Sequence, residues 1–270
     1  LDHIEISLNQ NVKFRKKTTG FEDIELVHHA LPELSLNEIE TKTSFFGREF
    51  NAPILIEAMT GGNEKAKSIN ELLAKLAFEF NIPMGIGSQR AAIEKKSLEG
   101  TYNIARKISK DIFLIGNIGG AQLVKGYGIV EINECIDMIE ANAIAIHLNP
   151  LQESLQKEGD TNFKGILSRI EELRDSISVP IIVKETGCGF SKEDLKLLQT
   201  IGIKCIDIGG AGGPSWAAVE HYRNGQYPVL ENISQVFWDW GIPTSVSTIL
   251  ASEMGFTVIS SGGITNGLDI

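Results

Sequence analysis

Short apolar segments recur along the chain from residue 53 onward, and helical patterns separate them. These segments are residues 54–56, 84–86, 112–115, 143–146, 179–183, 205–208 and 258–259. The first six begin roughly 25–36 residues apart, which is about one strand–helix unit each. Alternation at this pitch predicts a parallel sheet with right-handed helical crossovers.

The stretches between the strands have the spacing of amphipathic helices. The apolar positions 69, 72, 73, 76, 77 and 80 fall on one helix face, and residues 163–173 repeat the pattern. Ser191 with Asp194 three positions later resembles a capping box, which predicts a helix that begins directly after Ser191.

A closed TIM (β/α)8 barrel is predicted rather than an open sheet. No Gly-x-Gly-x-x-Gly fingerprint opens the first unit, and polar residues follow nearly every strand instead of only those beside one switch point. Because seven strands are recognised, the eighth unit is expected to be missing from this chain, with residues 267–270 resembling the start of another helix. An aromatic-rich insertion after residue 208 predicts extra helices there.

The first 52 residues are predicted to form an N-terminal extension that packs on a barrel built from residues 53–270. Residues 5–8 have the pattern of a short strand, and residues 45–48 have that of a hairpin. The adjacent His28 and His29 would point in different directions on regular structure, so we interpret them as surface or packing residues.

Composition restricts the classes of partner. The net charge is −10 and the isoelectric point about 5.1, with no basic stripe, which argues against nucleic acid. No apolar run approaches the ~18 residues of a membrane span. The three cysteines lack metal-ligand spacing, and a reducing, cytoplasmic compartment is the default expectation.

The strongest candidate site begins where the segment 143–146 ends. The chain continues with His147, Asn149, Gln152 and Glu153, a polar string at the carboxyl end of a strand, where ligands bind in such folds. An amide hydrogen-bonds without titrating, and a glutamate is a hard oxygen ligand that suits Mg²⁺. A capped strand followed by a polar loop is the alternative interpretation.

Other strand ends add polar groups and glycines to the same edge of the barrel. An unpaired ammonium is costly to bury, so Lys184 needs a carboxylate, with Glu57 and Glu185 as candidates, or an anionic ligand. Glycine-rich turns after the last strands of such barrels commonly bind phosphate. The remaining polar and glycine-rich strand ends are residues 58–62, 87–90, 116–120, 209–213 and 260–265.

With these motifs in view, the chain resembles type 2, flavin-dependent isopentenyl diphosphate isomerase. The most specific matching segments are Met59-Thr60-Gly61-Gly62, Gly87-Ser88-Gln89-Arg90 and His147 through Glu153, and the match runs from His3 to the end of the chain. Flavin barrels of the hydroxy-acid oxidase type share only the general arrangement.

The resemblance implies FMN at the barrel mouth, Mg²⁺ on the substrate and NADPH or NADH as reductant of the flavin. The residues implied to bind FMN are Ala58, Met59, Thr60, Ser88, Asn117, Lys184, Gly263, Ile264 and Thr265. Those implied to bind substrate are His3, Ser88, Gln89, Arg90 and Gln152, with Glu153 on the metal and Gln152, His147 and Lys184 as catalytic residues.

The implied reaction interconverts isopentenyl and dimethylallyl diphosphate by adding a proton at one carbon and removing one from another. No pair of carboxylates is expected at the strand ends for this task, which favours proton chemistry on the reduced flavin itself. The family resemblance and the aromatic insertion suggest a homo-oligomer, a tetramer or larger.

Three alternatives remain open from the sequence. An FMN-dependent 2-hydroxy-acid oxidoreductase would need a histidine base paired with an arginine, and His221 with Arg223 is the only local candidate. A class I aldolase would use Lys184 as a Schiff base. A non-enzymatic FMN-binding role is the third.

Overall fold

The computed structural model describes residues 2–225 and 227–270. Its strands are β1 (Thr43–Phe45), β2 (Arg48–Phe50), β3 (Met84–Gly85), β4 (Leu114–Gly119), β5 (Ala143–Leu148), β6 (Ile181–Glu185), β7 (Cys205–Asp207) and β8 (Thr257–Ile259). Its α-helices are α1 (Asp2–Asn9), α2 (Glu64–Phe80), α3 (Arg90–Glu94), α4 (Ile104–Ile108), α5 (Gly120–Val124), α6 (Ile129–Ile139), α7 (Pro150–Leu155), α8 (Ile166–Arg174), α9 (Lys192–Thr200), α10 (Trp216–Arg223), α11 (Pro228–Val236) and α12 (Thr244–Glu253). Short 3-10 helices cover Phe21–Asp23, Leu36–Glu38 and Lys96–Thr101.

The main sheet has six strands in chain order, β3 to β8, and every neighbouring pair is parallel. Each strand is followed by helical structure before the next one, so the predicted βα alternation is confirmed. Across the described residues β8 does not pair back onto β3, and the sheet is therefore a partial barrel.

The first predicted strand, residues 54–56, is wrong as a strand. Only Ile56 joins the sheet, through a single parallel bridge to Met84. The residues that follow stay close to β3 without further pairing, and a Cβ on Gly85 would lie 2.9 Å from the amide nitrogen of Ala58. One residue of pairing is therefore all that the sheet gains here.

Side chains on the two faces of the sheet form separate cores, as alternation requires. One face packs on the helices through residues such as Ile144, Ile146 and Val183. The other face fills the barrel interior with Ile115, Ala143, Ala145, Ile182 and Cys205. The interior is therefore a packed core and not a pore.

The predicted hairpin at residues 45–48 is confirmed as β1 and β2, and it closes the bottom of this interior. Phe50 is fully buried there, with its ring 5.7 Å from that of Phe113 in an edge-to-face arrangement. The amino-terminal extension thus contributes directly to the barrel core.

Two predictions about the chain's ends are wrong. Residues 5–8 lie in helix α1, since the two apolar residues there, Ile6 and Leu8, are not matched by a neighbouring strand and Ile6 packs instead on the α10 region. Residues 267–270 form no helix, because the carboxylate of Asp269 turns back to bind the amides of Thr265 and Asn266.

The helix predictions between strands are confirmed in α2, α8 and α9. Asn63 caps α2 by accepting from the amide of Ala66, and Ser191 with Asp194 forms the predicted capping box of α9. The insertion between β7 and β8 forms α10 and α11, as expected, ahead of α12. None of the helices in the described residues is long and apolar enough to cross a membrane.

Candidate active site at the strand ends

Polar side chains converge at the carboxyl ends of the barrel strands. Strand register places His147 beside Lys184, and Lys184 beside Asp207. Because Ala145, Ile182 and Cys205 face the barrel interior, the residues two positions further along each strand face the mouth above it. The site is therefore a ring of polar groups on top of an apolar plug.

The ammonium of Lys184 is buried, and all three of its donors have acceptors. It lies 3.3 Å from Glu57 Oε2, 3.3 Å from Asp207 Oδ2 and 2.9 Å from the carbonyl oxygen of Glu185. Burial alone would lower the pKa of Lys184, but the carboxyl groups of Asp207 and Glu57 outweigh it and raise that pKa above its ordinary value. Lys184 is therefore a cation over the whole neutral range.

The sequence predicted no pair of carboxylates at the strand ends, and this prediction is wrong. Glu57 and Asp207 both contact the ammonium of Lys184, and a hydroxyl from Ser261 donates to Asp207. The sequence did contain a signal, since Asp207 interrupts the apolar segment 205–208 at an inward-facing position. Glu185, the other candidate partner, turns its carboxylate to the amides of residues 186–188.

His147 is held in one orientation by the neighbouring strand. Its Nδ1 lies 2.8 Å from Asn117 Oδ1, an acceptor, so Nδ1 carries the hydrogen and Nε2 is left as the free acceptor. Burial, followed by the positive charges of Lys184 and Arg90, lowers the pKa of His147 to about 3. The neutral imidazole can accept a hydrogen bond but does not act as a charged acid.

Gln89 lies elsewhere than the resemblance implied. Its side chain is 0% exposed and points into the helix layer, where Nε2 donates to the carbonyl of Cys135 at 2.8 Å. Its Oε1 accepts from the amide of Asn117 at 3.0 Å. Because β3 ends at Gly85, strand alternation no longer decides where Gln89 points, and its amide positions β4 instead of contacting the mouth.

The polar string after β5 starts helix α7. Asn149 donates to both Gln152 Oε1 and Glu153 Oε1, each at 3.1 Å, and Glu153 Oε2 accepts from the amide of Asp160 at 2.6 Å. All three side chains are buried, and in the described residues the Nε2 of Gln152 makes no hydrogen bond. An oriented amide donor therefore remains next to a carboxylate.

Gly119 connects this string to His147. A Cβ at Gly119 would overlap Gln122 Oε1 and come within 3.0 Å of His147 Nε2. Gln122 in turn lies 3.3 Å from Asp160, whose amide binds Glu153. The close approach possible only at glycine lets the top of β4 pack against both groups.

The loop over β3 supplies the residues implied to line the cofactor ring. Asn70 in α2 holds it through the carbonyl of Thr60 at 3.1 Å, and the hydroxyl of Tyr102 donates to the carbonyl of Ser88 at 2.9 Å. Met59 is exposed at the rim. Arg90, the first residue of α3, keeps about half of its side chain exposed and lies 3.9 Å from Glu94.

The glycine-rich turns after β7 and β8 lie against each other. A Cβ at Gly213 would be 2.8 Å from the amide of Gly263, and one at Gly263 would be 2.6 Å from Gly212, so larger residues would separate the turns. The amides of Gly263 and Ile264 donate to no group within the described residues. That of Thr265 donates to Asp269 at 2.7 Å, so this part of the predicted phosphate site already holds a carboxylate.

His3 lies at the side of the site, on α1. Its Nε2 is 3.0 Å from Glu220 Oε1, and its ring meets that of Trp216 edge-on. The rival pair, His221 and Arg223, lies on α10, the helix that also carries Trp216 and Glu220. Arg223 binds Glu220 and Glu158, and His221 packs on Trp238. That pair does not point into the strand-end ring.

No cluster of three or more His, Cys, Asp or Glu side chains able to hold a metal occurs across residues 2–225 and 227–270. Glu153 is therefore not part of such a cluster. An ion placed there would have to take its remaining oxygen ligands from substrate and water, which is the usual habit of Mg²⁺.

Comparison with known proteins decides the family. Archaeal proteins named isopentenyl-diphosphate delta-isomerase match almost the whole chain. The one from Methanosarcina mazei is 44% identical over 100% of this chain and 74% of its own length, and that from Methanothermobacter thermautotrophicus is 45% identical over the same shares. The Pyrococcus abyssi protein is 45% identical over 99% of this chain. The chain belongs to the isopentenyl-diphosphate delta-isomerase family.

The resemblance drawn from the motifs is thereby confirmed, and a family model described as FMN-dependent dehydrogenase matches residues 1–103, which supports the type 2 form. Solved structures agree on the fold. The structure of an active chimera of (S)-mandelate dehydrogenase matches 100% of this chain and 78% of its own chain, with a TM-score of 0.62 and 13% identity. A Pediococcus acidilactici lactate oxidase has a TM-score of 0.56 at 13% identity. At such identity they support the α/β barrel fold alone.

Proposed function

We propose that this chain interconverts isopentenyl and dimethylallyl diphosphate, with FMN as its cofactor. The observation that carries the proposal is the near full-length match to proteins of that name, at about 44% identity. The strand-end ring supports it, since it supplies a fixed cation, an oriented amide and one buried carboxylate at one mouth.

The residues at the mouth fit a flat anionic cofactor. Glycines at the last two turns bring backbone close together, and two amide donors there, at Gly263 and Ile264, are available to phosphate oxygens. Ala58, Met59, Thr60, Ser88 and Asn117 would border the ring. When bound, FMN would supply the proton-transfer chemistry of the reaction.

The chain's own residues would bind, orient and exclude water. Lys184 would offer its positive charge to the polar edge of the cofactor. Arg90 and Ser88 would hold the diphosphate, and the free Nε2 of Gln152 would position the five-carbon chain. His147 would accept a hydrogen bond through Nε2, and His3 would border the substrate from the side.

Glu153 would hold Mg²⁺, which would supply positive charge for the diphosphate. This carboxylate is buried and accepts from the side chain of Asn149 and the amide of Asp160, neutral donors that a cation could replace. Substrate and water would supply further oxygen ligands.

The reductant, compartment and assembly also belong to the proposal. NADPH or NADH would reduce the flavin, and three free cysteines are compatible with a cytoplasmic enzyme. A homo-oligomer, a tetramer or larger, is supported by a segment whose apolar side chains are exposed. In it Leu26, Val27, Leu31 and Leu36 are 81–92% exposed, which is unusual for a surface in water.

The rival activities find less support. A Schiff-base lysine must lose its proton, whereas Lys184 faces two carboxyl groups that hold it charged. A hydroxy-acid oxidoreductase needs its histidine and arginine at the cofactor, and His221 and Arg223 are engaged on α10.

The decisive experiment is an isomerase assay with isopentenyl diphosphate, FMN, a reductant and Mg²⁺, preceded by an absorption spectrum of the protein. We expect a flavin spectrum and formation of dimethylallyl diphosphate. Gln152→Ala should lower turnover by tenfold or more while FMN stays bound, because the amide that orients the substrate is lost. Gln199→Ala, an exposed glutamine on α9, is the matched control. Turnover unchanged in Gln152→Ala would reject a role for this amide, and absence of product would reject the function.

A further inference from the structure

The carboxyl pair beside Lys184, Glu57 and Asp207, has no task in the reaction proposed above. Lys184 Nζ is 3.3 Å from both Glu57 Oε2 and Asp207 Oδ2. Asp207 is only 3% exposed. One cation thus faces two acids inside the protein.

Charge balance limits how many of the two acids are ionised. Among the described residues Lys184 is the one cation in contact with both, so two ionised carboxylates would leave a net negative charge inside the protein. A proton on one acid removes that charge and lets this acid donate to the other. Two adjacent buried negative charges would also repel each other strongly, which is how paired carboxyl groups come to share a proton elsewhere.

We propose that Glu57 and Asp207 share one proton, held on Asp207, so that these two groups and Lys184 together carry no net charge. Both acids accept from Lys184, so exposure decides between them. Glu57 is the ionised member because it is the more exposed, and the amide of Ala58 also donates to its Oε2 at 3.1 Å. Asp207 receives the hydroxyl of Ser261 in a more deeply buried position.

The pKa directions agree with this assignment. Burial, together with the charge of Glu57, raises the pKa of Asp207 well above its ordinary value. Burial would also raise the pKa of Glu57, but the charge of Lys184 and the hydrogen bond from Asp207 lower it below its ordinary value.

The charged and titratable groups around the triad leave the assignment unchanged. His147 on β5 is neutral, and Arg90 after β3 is half exposed at the rim. Glu185 on β6 directs its carboxylate away, to the amides of residues 186–188. Ser261 after β8 contributes only a hydroxyl. The triad is therefore balanced internally.

The neutral charge of this triad has a consequence that rests on the proposed function. A negatively charged flavin ring at the mouth would contact Lys184, and the two acids below would add no net negative charge to repel it. Glu57 and Asp207 are then positioning residues: they fix the ammonium and its net field without touching the reacting atoms.

Infrared spectroscopy tests the shared proton without substrate, cofactor or turnover. A protonated carboxyl group absorbs at a frequency separate from that of carboxylates and shifts in D₂O. We expect one such buried acid band at neutral pH in a Glu185→Gln background, which removes the only other buried carboxyl group next to Lys184. The band should disappear in Asp207→Asn and in Glu57→Gln, because the remaining acid then ionises beside Lys184.

Absence of the band from the parent protein, or its survival in both variants, would overturn the proposal. If Asp207→Asn does not fold, loss or survival of the band in Glu57→Gln still decides, since Glu57 is the less buried residue. Failure of the isomerase assay would leave these spectra unaffected, so the two conclusions fail separately.

A double-mutant cycle gives an independent measure. Each single amide variant keeps one carboxylate for Lys184, so we expect the folding equilibrium to change less than tenfold in either. The double variant leaves the ammonium unpaired and should change it at least a hundredfold. Large single effects that add up to that of the double variant would mean that both acids are ionised, against the proposal.

Discussion

Arg106 joins the lower ends of β4 and β5 from within the protein. Its guanidinium donates to the carbonyl oxygens of Lys110 at 2.7 Å, Glu140 at 2.8 Å, and Ile112 and Ile139 at 2.9 Å. Only 9% of the residue is exposed, and no carboxylate within the described residues forms an ion pair with it. Most of its acceptors are backbone carbonyls, two of them at the carboxyl end of α6, where the helix dipole is negative, and the one side-chain acceptor in the described residues is Asn142 Oδ1 at 3.4 Å.

We predict that Arg106→Met destabilises the fold by about 3 kcal/mol. The variant keeps an apolar stem but removes every donor, and a buried acceptor left unsatisfied costs about 1–3 kcal/mol. Two of the hydrogen bonds, to Ile112 and Ile139, are fully buried, which gives roughly 2–6 kcal/mol. Removing the buried charge returns part of this, so a loss in the lower half of the range is expected. Against a total stability of about 5–15 kcal/mol, the loss is severe.

The measurement is urea unfolding followed by far-ultraviolet circular dichroism, with the slope m compared between proteins. Arg169→Met is the matched control. Arg169 also reaches backbone carbonyls, but at 3.4 Å and from a partly exposed position, so its loss should cost under about 1 kcal/mol. A shift of less than about 1 kcal/mol in Arg106→Met, at unchanged m, would refute the reasoning that these carbonyls depend on the guanidinium.

Three further predictions concern the site. The imidazole of His147 should show no titration between pH 5 and 8 by proton NMR, because its pKa is lowered to about 3; a midpoint inside that range would contradict the burial argument. Glu153→Gln should raise the Mg²⁺ concentration needed for half-maximal turnover about tenfold or more, since an amide oxygen binds the ion less strongly than a carboxylate, while Glu172→Gln on the exposed face of α8 should not; equal titration curves would remove Glu153 as ligand. Burial raises the pKa of Glu185 from 4.5 to about 7, so its contribution to stability is present below pH 4.5 and lost as pH rises through 7. Between pH 4.5 and 7 the free energy of unfolding should therefore fall by about 3 kcal/mol more in the parent protein than in Glu185→Gln, and parallel curves would show that the carboxylate is ionised throughout.

The barrel was predictable because its strands are buried on both faces. Such strands are continuous apolar segments, and the amphipathic helices between them differ clearly in period. The segment 54–56 has the same composition but pairs through Ile56 alone, and the chain after it approaches Gly85 closely at Ala58. Tertiary contacts of this kind produce no periodic pattern in the sequence. The helix at residues 2–9 was missed for a similar reason, since its apolar side packs on a distant part of the chain.

The site was predictable as a set of strand ends but not as a set of orientations. Parallel strands bring their carboxyl ends to one edge, so Asn117, His147 and Lys184 were expected together. Gln89 belongs to the same edge by sequence and yet faces the helix layer. Since β3 stops at Gly85, four residues earlier, the alternation that fixes the other side chains does not reach it.

The register between adjacent strands could have predicted one of the two acids beside Lys184. Lys184 was recognised as needing an anion, and the candidates considered were its neighbours in sequence or at the first strand. Aligning the apolar segments 181–183 and 205–206 as adjacent parallel strands places Lys184 next to Asp207, which is the register observed. A buried cation and a buried acid at matched positions on adjacent strands explain each other, because either one alone would be too costly to keep inside the barrel. The second acid, Glu57, was already a candidate partner from the sequence. It lies on the segment that pairs through one residue only, so strand register could not select it over Glu185.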